Sequence, residues 1–90
     1  MPLVKFTSHL QKFFPGLSSQ EVEGATVAEI VCALDQRYPG LAAYIVDERG
    51  TLRKHVNIFI NEDLIHDRAT LSDPVQAEQR VFIFQALSGG

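Results

Sequence analysis

The sequence has little cysteine, few basic residues and no long apolar run. Its single cysteine, Cys32, allows no internal disulfide, which agrees with a reducing compartment. Eight basic against eleven acidic residues give a net charge of −3, which argues against a general nucleic-acid binder. No apolar run approaches the roughly 18 residues of a membrane span, and the N-terminal residues do not form a signal peptide. We therefore expect a cytoplasmic protein that binds neither nucleic acid nor membrane.

Motifs that carry catalysis or bind metal are missing as well. The three histidines, His9, His55 and His66, are far apart and lack the spacing of a metal site. There is no glycine-rich phosphate loop and no nucleophile elbow. No second cysteine supports a reactive thiol at Cys32, so we interpret that residue as a small buried or half-buried hydrophobe. We expect no catalytic residue, no bound metal and no bound cofactor, and hence no enzyme.

One helix stands out in a chain whose 90 residues suffice for a single domain and core. Thr26 and Glu29 have the spacing of a capping box at its start. Apolar residues then recur every three or four positions as far as Tyr38, and Pro39-Gly40 ends the pattern. The sequence therefore predicts a main helix over residues 26–38. A second apolar stretch, residues 41–46, is predicted to be a short helix or turn.

Apolar segments on both sides of the main helix predict strands. The first two are expected to form a hairpin, and the strand just before the helix to run parallel to the one after it. One helix packed on one face of a mixed sheet of four to five strands accounts for all elements and predicts an α+β fold. The predicted strands cover residues 3–10, 18–24, 55–61, 64–65 and 80–86.

A sheet that is covered by one helix buries only one of its faces. The alternation of side chains assigns seven residues to the covered face: Val4, Phe6, Val56, Ile58, Ile60, Val81 and Ile83. Phe59, Phe82 and Phe84 then point to the uncovered face, where three aromatic rings predict a partner-binding patch. Two alternatives stay open. A register error of one residue would exchange the faces, and segment 41–53, if folded over the rings, would bury them.

The last strand leads into Gly89-Gly90. Glycine makes up about 7% of average sequences, so this ending arises by chance about once in 200 chains. A frayed or appended terminus is the ordinary explanation. The other is that the carboxylate of Gly90 is the reactive group. Because glycine has no Cβ, such a tail can extend through a narrow channel. We predict a domain over residues 1–86 and a flexible tail over residues 87–90.

Three features stand out: the predicted order of elements, which is that of a β-grasp fold, the stretch from His55 to Asp63, and the last ten residues, Val81 to Gly90. Together they resemble the ThiS/MoaD family of ubiquitin-like sulfur carriers. Within that family, the sequence is most similar to the CysO-like branch. The resemblance implies that an E1-like enzyme uses ATP to adenylate Gly90, and that sulfur then displaces AMP to leave a thiocarboxylate. Gly89, Ser88 and Leu87 would be the tail needed for activation.

The resemblance also implies partners. One is the E1-like adenylating and sulfurtransferase enzyme, which would dock on the uncovered sheet face near the tail. The other is a downstream synthase that accepts the sulfur for a metabolite or cofactor. Two other functions stay open: a ubiquitin-like modifier that is conjugated to lysines through Gly90, and a non-catalytic β-grasp binding module with an incidental tail.

Overall fold

The computed structural model describes residues 1–85. This part of the chain contains five short strands and three helices. One very short strand lies at each edge of the sheet, and the longer strands lie in the middle. The elements in chain order are β1 Leu3–Phe6, α1 Ser8–Phe13, β2 Gln20–Glu21, α2 Val27–Arg37, α3 Leu41–Ile45, β3 Val56–Ile60, β4 Asp63–Leu64 and β5 Arg80–Gln85.

The strands form one mixed sheet in the order β2-β1-β5-β3-β4. β1 and β5 are parallel, and the other neighbouring pairs are antiparallel. The last strand in the sequence is thus the central one. The predicted α+β fold, with its hairpin of β1 and β2, is confirmed. β2 and β3 run in the same direction, which confirms the expected parallel orientation, but they are not neighbours, because β1 and β5 lie between them.

The main helix, α2, begins and ends where its sequence signals predict. The Oγ1 atom of Thr26 accepts a hydrogen bond from the Glu29 backbone N–H at 3.2 Å, and Glu29 accepts one from the Ala25 N–H at 2.8 Å. Gly40 follows the helix with a φ of 97°, a conformation that favours glycine. Asp35 links α2 to α3, since its carboxylate accepts hydrogen bonds from two backbone N–H groups around Gly40.

The core between the sheet and the helices is entirely aliphatic. None of the six phenylalanines and two tyrosines is fully buried. The predicted covered face is confirmed: five of its six Val and Ile residues, at positions 4, 56, 58, 81 and 83, are buried, and Ile60 and Phe6 are partly buried. The buried hydrophobic residues are Val4, Leu10, Leu17, Val22, Val27, Ile30, Val31, Leu34, Leu41, Ile45, Leu52, Val56, Ile58, Ile65, Leu71, Val75, Val81 and Ile83.

The segment after β1 differs from the prediction. The expected strand over residues 3–10 ends at Phe6, and α1 begins at Ser8. Leu10 lies at the start of a helical spacing of three and four residues that continues at Phe13 and Phe14, and Leu10 is fully buried. A helix therefore buries Leu10 where an extended strand would carry it beyond the sheet. Cys32 also departs from expectation, because it is exposed on α2.

Candidate functional site: the open face and the end of the central strand

The candidate site starts from a row of side chains across the uncovered side of the sheet, here called the open face. Phe82 on β5 pairs with Lys5 on β1 and with Phe59 on β3. Phe59 pairs in turn with Leu64 on β4. Directly opposed residues in a sheet point to the same side. The row Lys5, Phe82, Phe59 and Leu64 therefore crosses four strands on one face.

The three phenylalanines of the open face contact one another. Phe59 and Phe84 meet edge to face, with ring centroids 5.6 Å apart, and Phe82 and Phe84 are stacked at 6.4 Å. Phe84 keeps 45% of its surface exposed. The predicted register is thus correct, and segment 41–53 does not cover the rings, since its residues Leu41 and Leu52 pack into the core instead.

Two further residues enlarge the open face beyond the predicted patch. The Nζ atom of Lys5 lies 5.8 Å from the centroid of the Phe82 ring, a cation–π distance. Leu64 is 50% exposed beside Phe59. Sequence alone does not assign Leu64 to this face, because the side of the sheet on which Leu64 lies depends on the register of the β3–β4 hairpin. A clear hairpin turn signal would have been needed to set that register.

Arg68 fixes the edge of the open face next to the end of β5. One guanidinium nitrogen donates to the Asn57 side-chain oxygen at 3.1 Å. The other donates to the backbone carbonyls of Arg53 and Val56 at 2.8 and 3.0 Å. Asn57 pairs with Phe84 across the sheet. Arg68 therefore fixes the start of β3, the strand that pairs with the last residues of β5, a role that no sequence pattern indicates.

The last described residue, Gln85, is also the last residue of β5. It directly follows Phe84, so this end of β5 adjoins the open face. Leu87, Ser88, Gly89 and Gly90 lie outside the described residues. The roles predicted for them, and the division into a domain over residues 1–86 and a tail over residues 87–90, stay predictions.

The described residues hold no cluster of side chains placed to bind a metal ion. Between residues 1 and 85, no group of three or more His, Cys, Asp or Glu residues is placed to hold a metal ion. Among these residues, the largest pKa shift is that of Asp67, which lies in a loop. Hydrogen bonds from the Ser72 and Thr70 hydroxyls hold the pKa of Asp67 well below its usual range. No helix within these residues has the length and apolar character that crossing a membrane requires.

The family comparison decides among the interpretations of this fold. The model of the ThiS family matches residues 4–90, nearly the whole chain. The chain belongs to the ThiS family. The predicted ThiS/MoaD resemblance is therefore confirmed, and with it a ubiquitin-like sulfur-carrier protein. Because ThiS-family sulfur carriers are not catalysts and bind no cofactor of their own, the chain is not an enzyme.

Solved structures give the same fold. A chain of the Amycolatopsis orientalis BexX/CysO complex superposes with a TM-score of 0.85 at 27% identity, covering 100% of both chains. The small archaeal modifier protein 1 of Methanosarcina acetivorans gives 0.76 at 26% identity, over 98% of this chain and 94% of that one. Mycobacterium tuberculosis CysO, at 22% identity, gives 0.84 over 97% and 100% and supports the fold alone. No curated protein matches the sequence significantly.

Proposed function

We propose that this ThiS-family chain carries sulfur as a thiocarboxylate on Gly90. The Gly90 carboxylate attacks the α-phosphate of ATP on an E1-like enzyme, and pyrophosphate leaves. A sulfur nucleophile at the oxidation level of hydrosulfide then attacks the acyl carbon, and AMP leaves with the carboxylate oxygen. The resulting thiocarboxylate donates its sulfur to a downstream synthase.

One observation carries this proposal: the family match extends to residue 90 and so includes Gly89 and Gly90. The chemistry suits these residues. A carboxylate is a poor electrophile until it is activated, and two residues without Cβ atoms allow the backbone of an enzyme channel to approach closely. Ser88 and Leu87 would lead from the sheet into that channel. The cytoplasm, which supplies ATP, is the compartment we propose.

The open face is our proposed docking surface for the activating enzyme. Two of its phenylalanines, Phe82 and Phe84, lie on the strand that precedes the tail, and the Phe84 ring contacts both Phe82 and Phe59. Aromatic residues are enriched among the side chains that dominate protein–protein binding. A structurally similar chain has been crystallised in the BexX/CysO complex, which supports a protein partner for this fold.

Intact-mass spectrometry tests the proposal. The purified chain is incubated with an E1-like enzyme of the same organism, ATP and sulfide. We expect a mass gain equal to the replacement of one oxygen by sulfur, dependent on ATP. The matched control lacks Gly89 and Gly90; it should keep the same fold by circular dichroism and show no gain. An unchanged mass of the full chain under conditions in which the enzyme consumes ATP would reject the proposal.

A second candidate function is protein modification. Its support is the similarity to the small archaeal modifier protein 1 of Methanosarcina acetivorans. Both functions require the same activation of Gly90, so they separate only afterwards. Conjugates in which Gly90 is linked to lysines of other proteins would favour the modifier. If activity survived deletion of Gly89 and Gly90, the chain would instead be a β-grasp binding module.

A further inference from the structure

One polar residue, Asn57, lies beside the phenylalanines of the open face. Its partner across the sheet is Phe84, and directly opposed residues point to the same side, so the Asn57 side chain is on the open face. Asn57 is exposed. Together with Phe59, Phe84 and Gln85 it lines a shallow depression. A partner that docks on these rings therefore also meets the side-chain amide of Asn57.

The amide of Asn57 has a defined orientation because Arg68 holds it. Nη1 of the Arg68 guanidinium lies 3.1 Å from the Asn57 amide, and this is the hydrogen bond that the Asn57 side chain makes within residues 1–85. A guanidinium has N–H donors and no acceptor, so the amide atom that faces Arg68 must be the oxygen. The NH₂ group is then the part of the amide that faces away from Arg68. Asn57 thus presents a donor, and not an acceptor, to a docking partner.

Arg68 is itself fixed by the fold. Nη2 donates to the backbone carbonyls of Arg53 and Val56 at 2.8 and 3.0 Å, and the Arg68 carbonyl accepts from the Leu52 N–H at 2.8 Å. The preceding residue, Asp67, holds the loop, since its carboxylate accepts hydrogen bonds from three backbone N–H groups there. A flipped amide would place its donors against those of the guanidinium. The orientation is therefore set before any partner docks.

We propose that Asn57 is a specificity-determining residue of the docking surface: its NH₂ group donates a hydrogen bond to a main-chain carbonyl of the activating enzyme. Arg68 is its positioning residue. This inference rests on the proposed function and adds the chemistry that the partner presents beside the phenylalanines. The acceptor is a neutral carbonyl, because burying a carboxylate beside Phe59 and Phe84 costs far more desolvation energy. A protein without an acceptor at this point leaves a buried donor unpaired and is rejected.

Two substitutions of Asn57 separate recognition from structure. Asn57→Asp keeps an oxygen for Arg68 and makes the bond charge-assisted, so stability in urea should equal or exceed that of the wild type. It also places an oxygen where the NH₂ group was, so binding to the activating enzyme in titration calorimetry should weaken by about tenfold or more. Asn57→Ala loses the Arg68 contact and should be less stable, yet it should bind only about threefold more weakly than the wild type.

The order of the two variants decides the inference. A purely structural role would make Asn57→Ala the weaker binder, whereas the proposed donor makes Asn57→Asp the weaker one. Gln36→Glu is the matched control for the added charge, since Gln36 is exposed on α2, and it should bind like the wild type. Wild-type affinity in Asn57→Asp, weaker binding by Asn57→Ala, or an equal loss in Gln36→Glu would overturn the inference. A wild type that does not bind the enzyme would reject the docking surface itself.

A measurement on the free chain tests the amide orientation without any enzyme. In the ¹⁵N-labelled wild type, we expect the Asn57 NH₂ protons to exchange rapidly with water, because they face away from Arg68. Phe84→Ala should shift their nuclear magnetic resonance signals, because a ring that lines the same depression is removed. Slow exchange would show that the NH₂ group is already bonded within the chain, and it would overturn the inference whatever the enzyme binds.

Discussion

The two faces of the sheet use the same strands for different purposes. On β3 and β5, alternate residues such as Ile58 and Ile83 are buried among aliphatic side chains. Their neighbours Phe59, Phe82 and Phe84 lie on the open face and contact one another. Three of the six phenylalanines thus lie outside the core, on the face of the sheet that no helix covers. We infer that the covered face provides stability and the open face provides recognition, and the two can be altered separately.

The largest effect on stability is expected from a cavity on the covered face. Ile58 is fully buried, so Ile58→Ala should lower the free energy of unfolding by about 2–5 kcal/mol. Urea denaturation followed by circular dichroism measures this loss. Ile58→Val, which removes one methylene group, should cost about 0.5–1.5 kcal/mol. The molecules that remain folded should still be activated normally; a specific loss of activation per folded molecule would argue against separate roles.

A smaller effect on stability, which depends on pH, is expected from a substitution of Asp67. The loop that contains Asp67 also places Leu71 in the core. Hydrogen bonds from the Ser72 and Thr70 hydroxyls to its carboxylate hold the folded-state pKa of Asp67 well below its usual range. Its contribution to stability is therefore complete above about pH 4 and is lost as the pH falls through the folded-state pKa.

Asp67→Asn tests this assignment by thermal melts at neutral pH and at about pH 3. The variant should be less stable than the wild type at neutral pH, and the difference should shrink in acid. A difference in melting temperature that is the same at both pH values would show that the Asp67 charge plays no part.

On the open face, a substitution is expected to weaken binding of the partner much more than it lowers stability. Phe84→Ala should cost only about 1 kcal/mol of stability, since the side chain is 45% exposed and loses mainly aromatic contacts. It should weaken binding to the activating enzyme by about tenfold or more, as measured by titration calorimetry. Phe13→Ala is the matched control, because Phe13 is 49% exposed but lies on α1. Equal effects of the two variants would remove the special role of the open face.

The smallest effect is expected from Lys5, at the margin of the open face. Lys5→Ala removes a cation–π contact with Phe82 and should change stability by about 0.5 kcal/mol. Lys5→Met keeps most of the apolar stem over the ring and should be closer to the wild type in urea denaturation. If Lys5→Ala destabilised the chain as much as the Ile58 cavity, the division between the faces would be misplaced.

Local signals explain which elements were predictable from sequence. The capping pair Thr26 and Glu29 and the periodic apolar stripe define α2 because they act within one helix. Alternation likewise assigns the phenylalanines of β3 and β5 to one face. The helix α1 escaped prediction because its six residues span fewer than two turns, too few for the spacing of Leu10 and Phe13 to establish a period.

Contacts between distant segments explain what was missed. The parallel pairing of β1 with β5 joins the two ends of the described chain, and no local pattern encodes it. The same holds for Leu64, which joins the open face through the hairpin register, and for Arg68, which acts through three hydrogen bonds to a distant strand. The tail residues were suggested by the dipeptide Gly89-Gly90, and the family comparison then supplied their context.

The most direct test is a time course of intact mass for three chains under identical activation: wild type, Phe84→Ala and Ile58→Val. The wild type and Ile58→Val should gain sulfur in place of one oxygen at Gly90 at similar rates. Phe84→Ala, at an enzyme concentration below saturation, should gain it about tenfold more slowly, as expected for a lost interface anchor. No mass gain in the wild type, or equal rates for all three chains, would contradict a carrier that is recognised through its open face and modified at its tail.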